Sequence, residues 1–333
     1  MKLAIVILNW NGAQLLKDYL PAVLRYSGNA EVYVIDNAST DDSVSQLREH
    51  FPDVHLIRNP KNLGFAGGYN SGLQKVDADV FCLLNSDVEV TPDWTLPMIS
   101  LFKTRPEVAI AQPKILDLRK KDYFEYAGAG GGFIDKLGYP FCRGRIFQSI
   151  EKDDGQYDDI KEVFWATGAC MFIRKAVFNA LDGFDADYFA HQEEIDLCWR
   201  AKNNGYSVYY VGTSKVYHLG GFTLKNSNPN KTFLNFRNSL YSITKNLPRA
   251  LAFRLIFTRL ILDGIAAVHF AFQLKFRHSL AILRAHFSFY RNFLRVYQKR
   301  EKSNFLINYS PVKSIVWSHF VHGVKNFNTL GKY

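Results

Sequence analysis

An α/β fold on an open, mostly parallel sheet is what this sequence predicts, and three observations predict it. Apolar runs at residues 3–8, 31–36, 54–58 and 80–84 alternate with helix-patterned stretches, the order that builds a parallel sheet covered by helices. Polar, turn-forming clusters follow these runs, among them Asn9-Trp10-Asn11-Gly12 and Asn85-Ser86-Asp87. In open α/β sheets ligands bind at those strand ends. The composition is also globular: 333 residues, 47% hydrophobic and 22% charged, enough for a large core and unlike a disordered chain.

In chain order, residues 3–8 are continuously apolar, too short a run for a signal peptide, and read as a first strand buried on both faces. A helix follows over about 13–26, then the second strand, 31–36. Ser39-Thr40-Asp41-Asp42 supplies helix-capping side chains for a helix ending near His50. Residues 54–58 form a third short strand, and Asn62 to Gly68 is a Gly-rich turn into a helix at about 69–75. The fourth strand is 80–84. Beyond it, 127–132 and 141–145 are Gly-rich and irregular, a segment expected to cover a site, and 151–159 is an acidic loop expected to be solvated. Strand character returns at 163–173 and 206–218, with a helix at about 175–181 between them. From about 234 the texture is helical, aromatic and basic.

The net charge of +10 is uneven. Residues 251–333 hold 13 Lys and Arg against only Asp263 and Glu301, whereas the first 250 residues hold 28 against 29. That points to an anionic surface as partner for the tail and not to a nucleic-acid-binding body. Arg277, Arg284, Ser288, Arg291, Arg295 and Lys299 trace one helix face, with Leu280, Leu283, Phe287, Tyr290, Leu294 and Tyr297 on the other side. The apolar stretch 255–276 is interrupted by Arg259, Asp263 and His269, which disfavours a spanning helix and favours helices lying in a membrane interface. Packing on the catalytic domain, or a homodimer through the same helices, is the competing use. Cys82, Cys142, Cys170 and Cys198 are far apart without a CxxC, so reduced thiols are expected.

Three carboxylates, Glu193, Glu194 and Asp196, open a helix-like run that ends near Gly205. Acids in a first turn are favoured by the helix dipole, so capping explains them in isolation. Asp87 at one strand end and His218 at another change the weighing. A hard cation, Mg²⁺ or Mn²⁺, is held by one or two carboxylates plus substrate phosphates, and Mn²⁺ also accepts imidazole. Asp36, closing the second strand, is placed to accept hydrogen bonds from a nucleoside. Neither the first turn nor Gly64-x-x-Gly67-Gly68 is a dinucleotide fingerprint, which disfavours a nicotinamide or flavin enzyme.

The ordered set of these pieces resembles glycosyltransferase family 2, with the GT-A fold, and especially its rhamnosyltransferase-like bacterial members. The resemblance runs from Ile5–Gly12 through Val34–Asp41, Asn59–Asn70, Leu84–Asp87, Thr167–Arg174, Gly183–Asp185 and Glu193–Arg200 to Val216-Tyr217-His218. It implies inverting transfer from a nucleotide-diphosphate sugar, a dTDP- or UDP-sugar, with dTDP-rhamnose the first donor. Asp36 would hold the nucleoside, with Asn9, Asn37 and Asp41 nearby, and Asn62, Gly64 and Asn70 would line the donor pocket. Asn85-Ser86-Asp87 stands for the DxD motif, Asn85 replacing its first acid and Asp87 carrying a divalent cation with His218. Glu194, of the Glu193-Glu194 pair, or else Asp196, would be the base, and Arg237-Asn238 would lie near the diphosphate.

The expected organisation is a GT-A domain over 1–240 and a helical, basic, amphipathic extension over 241–333. The expected acceptor is a lipid-linked saccharide, and the expected location is peripheral, on the cytoplasmic face of the cell membrane. A sugar nucleotidyltransferase is the rival enzyme, although the first turn lacks its Gly-rich basic loop. A non-catalytic membrane scaffold of the same fold is the rival outside catalysis.

Overall fold

The computed structural model describes residues 1–220, 228–300 and 305–330. Strands β1 (Leu3–Asn9), β2 (Glu31–Asp36), β3 (His55–Arg58) and β4 (Val80–Asn85) alternate with helices α1 (Ala13–Tyr26), α2 (Ser43–His50) and α3 (Gly64–Leu73). β1 runs parallel to β2 and β4 on either side, and β2 is parallel to β3. The short β5 (Val88–Val90), α4 (Thr95–Thr104) and the long β6 (Val108–Asp117) follow.

A second, four-stranded antiparallel sheet is built from β7 (Gly132–Ile134), β8 (Pro140–Cys142), β9 (Arg145–Ile146) and β10 (Ser149–Ile150). The chain then rejoins the main sheet through β11 (Ile160–Glu162), β12 (Cys170–Arg174) and, after α5 (Lys175–Ala180) and α6 (Glu193–Asn203), β13 (Ser207–His218). The main sheet has the order β11-β13-β6-β12-β4-β1-β2-β3, with β5 on β13. β12 is antiparallel to both neighbours, whereas β13 is parallel to β6. The mostly parallel α/β sheet expected from the sequence is therefore present, with its direction broken at β12 and at the short strands β5 and β11.

Side-chain alternation along the strands makes two cores. On β1, Ala4 and Val6 join the core under α3, α5 and α6, while Leu3, Ile5 and Ile7 join the core under α1, α2 and α4. All four cysteines are buried and unpaired, as expected of small hydrophobes.

Several local expectations fail for identifiable reasons. Residues 163–169 are not strand: Thr167 N donates to Gln112 Oε1 at 2.9 Å and Ala169 N to Thr167 Oγ1 at 3.2 Å. Those backbone donors are taken by side chains instead of a ladder. α3 begins at Gly64 and not at 69, because the amide of Phe65 finds the Phe189 carbonyl at 2.8 Å. The acidic loop is not simply solvated. Asp153 pairs with the buried Lys114 at 2.8 Å, Asp158 pairs with the same ammonium, and Asp159 pairs with the buried Arg143 at 2.9 Å. Of the Gly/Arg segment, 127–131 stay irregular, whereas 132 and 141–145 run into the second sheet. β6 and α4 were not anticipated at all.

Among the described residues the tail is three long α-helices and a short fourth: α7 (Pro229–Asn246), α8 (Arg249–Phe272), α9 (Phe276–Gln298) and α10 (Ile315–Phe320). α7 runs unbroken through residue 240, so the two expected segments share a helix. Arg259 and Asp263, the two charges that interrupt the apolar stretch, face inward. Arg259 Nε is 3.1 Å from Asp263 Oδ1, and its guanidinium lies 3.9 Å from the Tyr139 ring centre and donates to Ser239 Oγ at 2.8 Å. Asp263 also meets His286 Nε2 at 3.0 Å and the Tyr139 hydroxyl at 3.0 Å. Removing one partner of a buried ion pair strands the other charge. The variant Arg259→Leu is therefore expected to lose about 3 kcal/mol of stability, read as a lower urea midpoint with an unchanged slope.

Candidate active site

The site lies where β2, β1 and β4 end side by side. Asn9 is in register with Asp36, and Leu8 with Asn85. Asp36 and Asn9 are fully buried. Ser39 stitches the two loops: its amide reaches Asp36 Oδ1 at 3.3 Å, and its hydroxyl accepts from Asn9 Nδ2 at 3.2 Å and the Asn11 amide at 2.9 Å. Asp41 accepts from the amides of Ala13 at 2.9 Å and Ser43 at 3.1 Å, tying the start of α1 to this edge. An open groove lined by Ala38, Ser39, Thr40, Arg58, Asn59 and Pro60 borders it.

Asn37 is the hub of the next loop. Its amide nitrogen donates to Asn62 Oδ1 and to the Gly64 carbonyl, each at 3.0 Å, and its oxygen accepts from Asn59 Nδ2 at 3.0 Å. Gly64 has φ +70, and a Cβ there would sit 2.6 Å from the Phe189 ring, so only glycine lets α3 meet the loop before α6. Asn70 faces the same side, but both ends of its amide are held by the Phe184 backbone at 2.6 and 2.9 Å. It fastens α3 to the 183–184 turn.

On the other side of β4, Ser86 and Asp87 form the tight turn into β5, which pairs His218 with Val88. That pairing brings His218 Nε2 to 3.1 Å from Asp87 Oδ1 and 3.4 Å from Asn85 Nδ2. Nδ1 of His218 faces Glu125 Oε2 across 3.5 Å and makes no hydrogen bond to the described residues. Burial opposes a charge on His218, yet Asp87 and Glu125 outweigh it and raise its pKa to about 10. Glu125 was not anticipated: it comes from the irregular stretch beside β6, where no periodicity marks it. Gly220 has φ +61, a left-handed value that favours glycine, and a Cβ there would meet Glu125 Oε1 at 2.8 Å.

The three acids of α6 part company. Asp196 is fully buried with both oxygens occupied, by Lys245 Nζ and Arg200 Nε at 2.8 and 2.9 Å on one and by Asn246 Nδ2 and the Tyr188 hydroxyl at 2.8 and 3.2 Å on the other. Burial disfavours its charge, but Lys245 and Arg200 hold it ionised far below the usual range. Glu193 and Glu194 each keep Oε2 without a partner among the described residues. Burial raises both, Glu193 further because Glu194 is beside it, and Glu194 to about 7, with nearby backbone amides pulling the other way.

The family model for Glycosyl transferase family 2 matches residues 4–182, more than half of the chain. The protein is a family 2 glycosyltransferase. That assignment decides against the sugar-nucleotidyltransferase alternative. Two similar proteins are a low-salt glycan biosynthesis hexosyltransferase of Haloferax volcanii, 27% identical over 215 residues, and an N-acetylglucosaminyl-diphospho-decaprenol L-rhamnosyltransferase of Mycobacterium tuberculosis, 25% identical over 235. The matches cover 62% of this chain and 63% of the archaeal protein, and 65% and 75% for the mycobacterial one. The archaeal relative is thus spanned over less than two thirds of its length. The crystal structure of GalNAc-T7 with UDP, GalNAc and Mn²⁺ superposes at a TM-score of 0.55 and 16% identity, over 73% of this chain and 47% of that one, which shows the shared GT-A fold.

In this glycosyltransferase the turn before the acids is held in an unfavourable shape. Phe189, His191 and Gln192 have φ of 64, 67 and 71, left-handed values that side chains resist. Asn238 on α7 fixes them: its Nδ2 meets the carbonyls of Tyr188, Ala190 and His191 at 3.1, 3.0 and 2.7 Å. Arg237 is engaged likewise, Nη2 lying 3.1 Å from the carbonyls of Asp187 and Tyr188. In this structure, then, the pair expected near a diphosphate grips the loop. The change Asn238→Ala frees three carbonyls and lets the turn relax. Turnover is expected to fall about tenfold or more while the donor dissociation constant moves less than about threefold, measured by steady-state kinetics beside calorimetric titration.

Proposed function

We propose that this glycosyltransferase is inverting and moves a sugar, rhamnose first among candidates, from a dTDP- or UDP-linked donor to a hydroxyl of a lipid-linked saccharide. We place that reaction in cell-envelope glycan synthesis, at the cytoplasmic face of the membrane. The observation that carries the reading is the split within α6: Asp196 is saturated with partners, whereas Glu194 has an oxygen with none among the described residues and a pKa raised to about 7. A carboxylate of that kind suits a general base at neutral pH. The mycobacterial relative, named for a diphospho-decaprenol acceptor, supports the lipid-linked substrate, and the UDP in the GalNAc-T7 structure supports the donor class.

In the step itself, Glu194 takes the proton of the acceptor hydroxyl as that oxygen bonds to C1 of the donor sugar. The bond from C1 to the phosphate oxygen breaks, and the electron pair leaves with the nucleoside diphosphate. Approach opposite the leaving group inverts the anomeric centre, and no covalent enzyme intermediate is needed. Asp36, Asn9 and Ser39 shape the edge where the nucleoside would rest.

Asp87 and His218 fit a divalent cation, Mg²⁺ or Mn²⁺: an oxygen and an imidazole nitrogen converge at 3.1 Å beside the Asn85 amide. When bound, such an ion neutralises charge on the departing diphosphate. Among the described residues no group of three His, Cys, Asp or Glu ligands forms, so the diphosphate and water would complete the shell. Glu125, behind His218, is a positioning residue in this reading, orienting the ring so that Nε2 faces the cation.

The exchange Glu194→Gln is expected to abolish transfer while nucleotide-sugar binding persists; full transfer would remove the base assignment. Because an ionised Glu194 is the active form, the wild-type rate should rise about tenfold per pH unit up to about 7 and then level, as read from kcat/KM against pH. For Glu125→Leu, Mn²⁺ affinity followed by electron paramagnetic resonance should weaken about 10–100-fold. Glu125→Gln should recover part of it, with circular dichroism unchanged in both variants.

A further inference from the structure

Helix α8 is inside out. Its buried stripe is Ala252, Leu255, Ile256, Arg259, Asp263 and Ala267, so the charges point into the protein. Its outer face is apolar: Phe257, Ile265 and Phe272 are 66%, 61% and 85% exposed. α9 continues that surface with Leu283, Phe287 and Leu294 at 60%, 71% and 74%, and Leu274 and Phe276 stand out at the tip between the helices. Isolated exposed apolar residues are ordinary, but a contiguous apolar face along two helices marks a docking surface.

The charge around this face identifies what covers it. Between residues 249 and 300 the only acid is Asp263, which is buried and paired with Arg259 and His286. Arg277, Arg284 and Arg291 are exposed at steps of seven on α9, so they form one row bordering the apolar stripe. Arg254 and Lys275 add exposed cations. A second copy of the chain would oppose arginine to arginine across a symmetric contact without an exposed hairpin acid between them. A surface of anionic headgroups over hydrocarbon complements both features.

We propose that the α8–α9 hairpin is a one-sided membrane anchor, seated face-down in a single leaflet of an anionic bilayer with the arginine row at the phosphates and the tip deepest. α8 has 24 residues and a mean hydropathy of 1.7 in its most apolar window, which length alone would suit to crossing. Crossing is prevented because the inner face is bonded to the globular body through Arg259, Ser239, Asp263 and Tyr139. The same hairpin touches the elements that frame the site. His278 Nδ1 lies 2.8 Å from Thr232 Oγ1, and the Phe233 ring sits between Arg237 and Arg284 at 5.2 and 5.8 Å. Seating the hairpin therefore holds the site at the membrane surface, where a lipid-linked saccharide would be met. The anchor itself does not depend on the acceptor reading.

Co-sedimentation of the full chain with vesicles of phosphatidylcholine, with or without phosphatidylglycerol, tests this. Wild type should pellet with the anionic vesicles. The double change Phe272→Asp with Leu274→Asp should remove binding at any salt, and replacing Arg254, Arg277 and Arg291 by Gln should weaken it about 100-fold at low salt. Donor hydrolysis in solution and circular dichroism should be unchanged in all variants, which separates this outcome from any failure of the glycosyl-transfer reading. Wild type remaining in the supernatant, or aspartate variants pelleting as well as wild type, overturns the anchor. A wild-type dimer that these aspartates convert to monomer, without vesicle binding, overturns it in favour of a protein interface.

Discussion

The buried carboxylate of Asp196 is the constraint on which the rest of the site depends. Four donors from three places converge on it: Arg200 from its own helix, Lys245 and Asn246 from α7, and Tyr188 from the turn before α6. A buried charge of this kind is tolerable only while it is fully paired, so the cluster locks these elements at one distance. Lys245 extends the lock to Asp185 at 2.8 Å, and Lys299 and Arg295 at the end of α9 reach Asp185 and Asp187. With both flanks held, the positive φ of Phe189, His191 and Gln192 persists, and Glu193 and Glu194 begin α6 from an over-determined position.

The same logic explains why neighbouring acids of one helix differ. Asp196 faces cations and stays ionised, whereas Glu193 and Glu194 each keep one carboxyl oxygen that finds no donor among the described residues. Environment, not residue type, separates the acid saturated with donors from the two left short of them. At the opposite end, two carboxylates flank one imidazole, Asp87 on Nε2 and Glu125 on Nδ1: strand pairing of β5 with β13 sets Asp87 against the ring, and the Glu125 amide is tied to the Ile115 carbonyl at 3.1 Å.

Much of this was legible in the residues. Unbroken apolar runs marked β1, β2 and β4, since strands covered on both faces cannot alternate. Polar ends at Asn9, Asp36 and Asp87 marked the ligand edge, because a short, local pattern encodes it. β6 escaped notice because Gln112, Pro113 and Lys114 interrupt its apolar pattern; Gln112 and Lys114 are satisfied by partners 55 and 39 residues away, Thr167 and Asp153. The roles of Asn70, Arg237 and Asn238 were blurred for the same reason: an amide or guanidinium looks alike in sequence whether it faces a substrate or a backbone carbonyl.

The amino-acid order by itself determined the alternating α/β plan, the family, the acids at the start of α6 and the basic character of the tail, all properties carried by neighbours a few residues apart. Tertiary structure alone decided which acid lost its freedom, that Glu125 stands behind His218, and that α8 turns Arg259 and Asp263 inward while showing hydrocarbon outside. Those outcomes rest on contacts between distant segments, such as Lys245 with Asp196 and Tyr139 with Asp263, 49 and 124 residues apart, and a charge looks the same along the chain until folding gives it, or denies it, a partner.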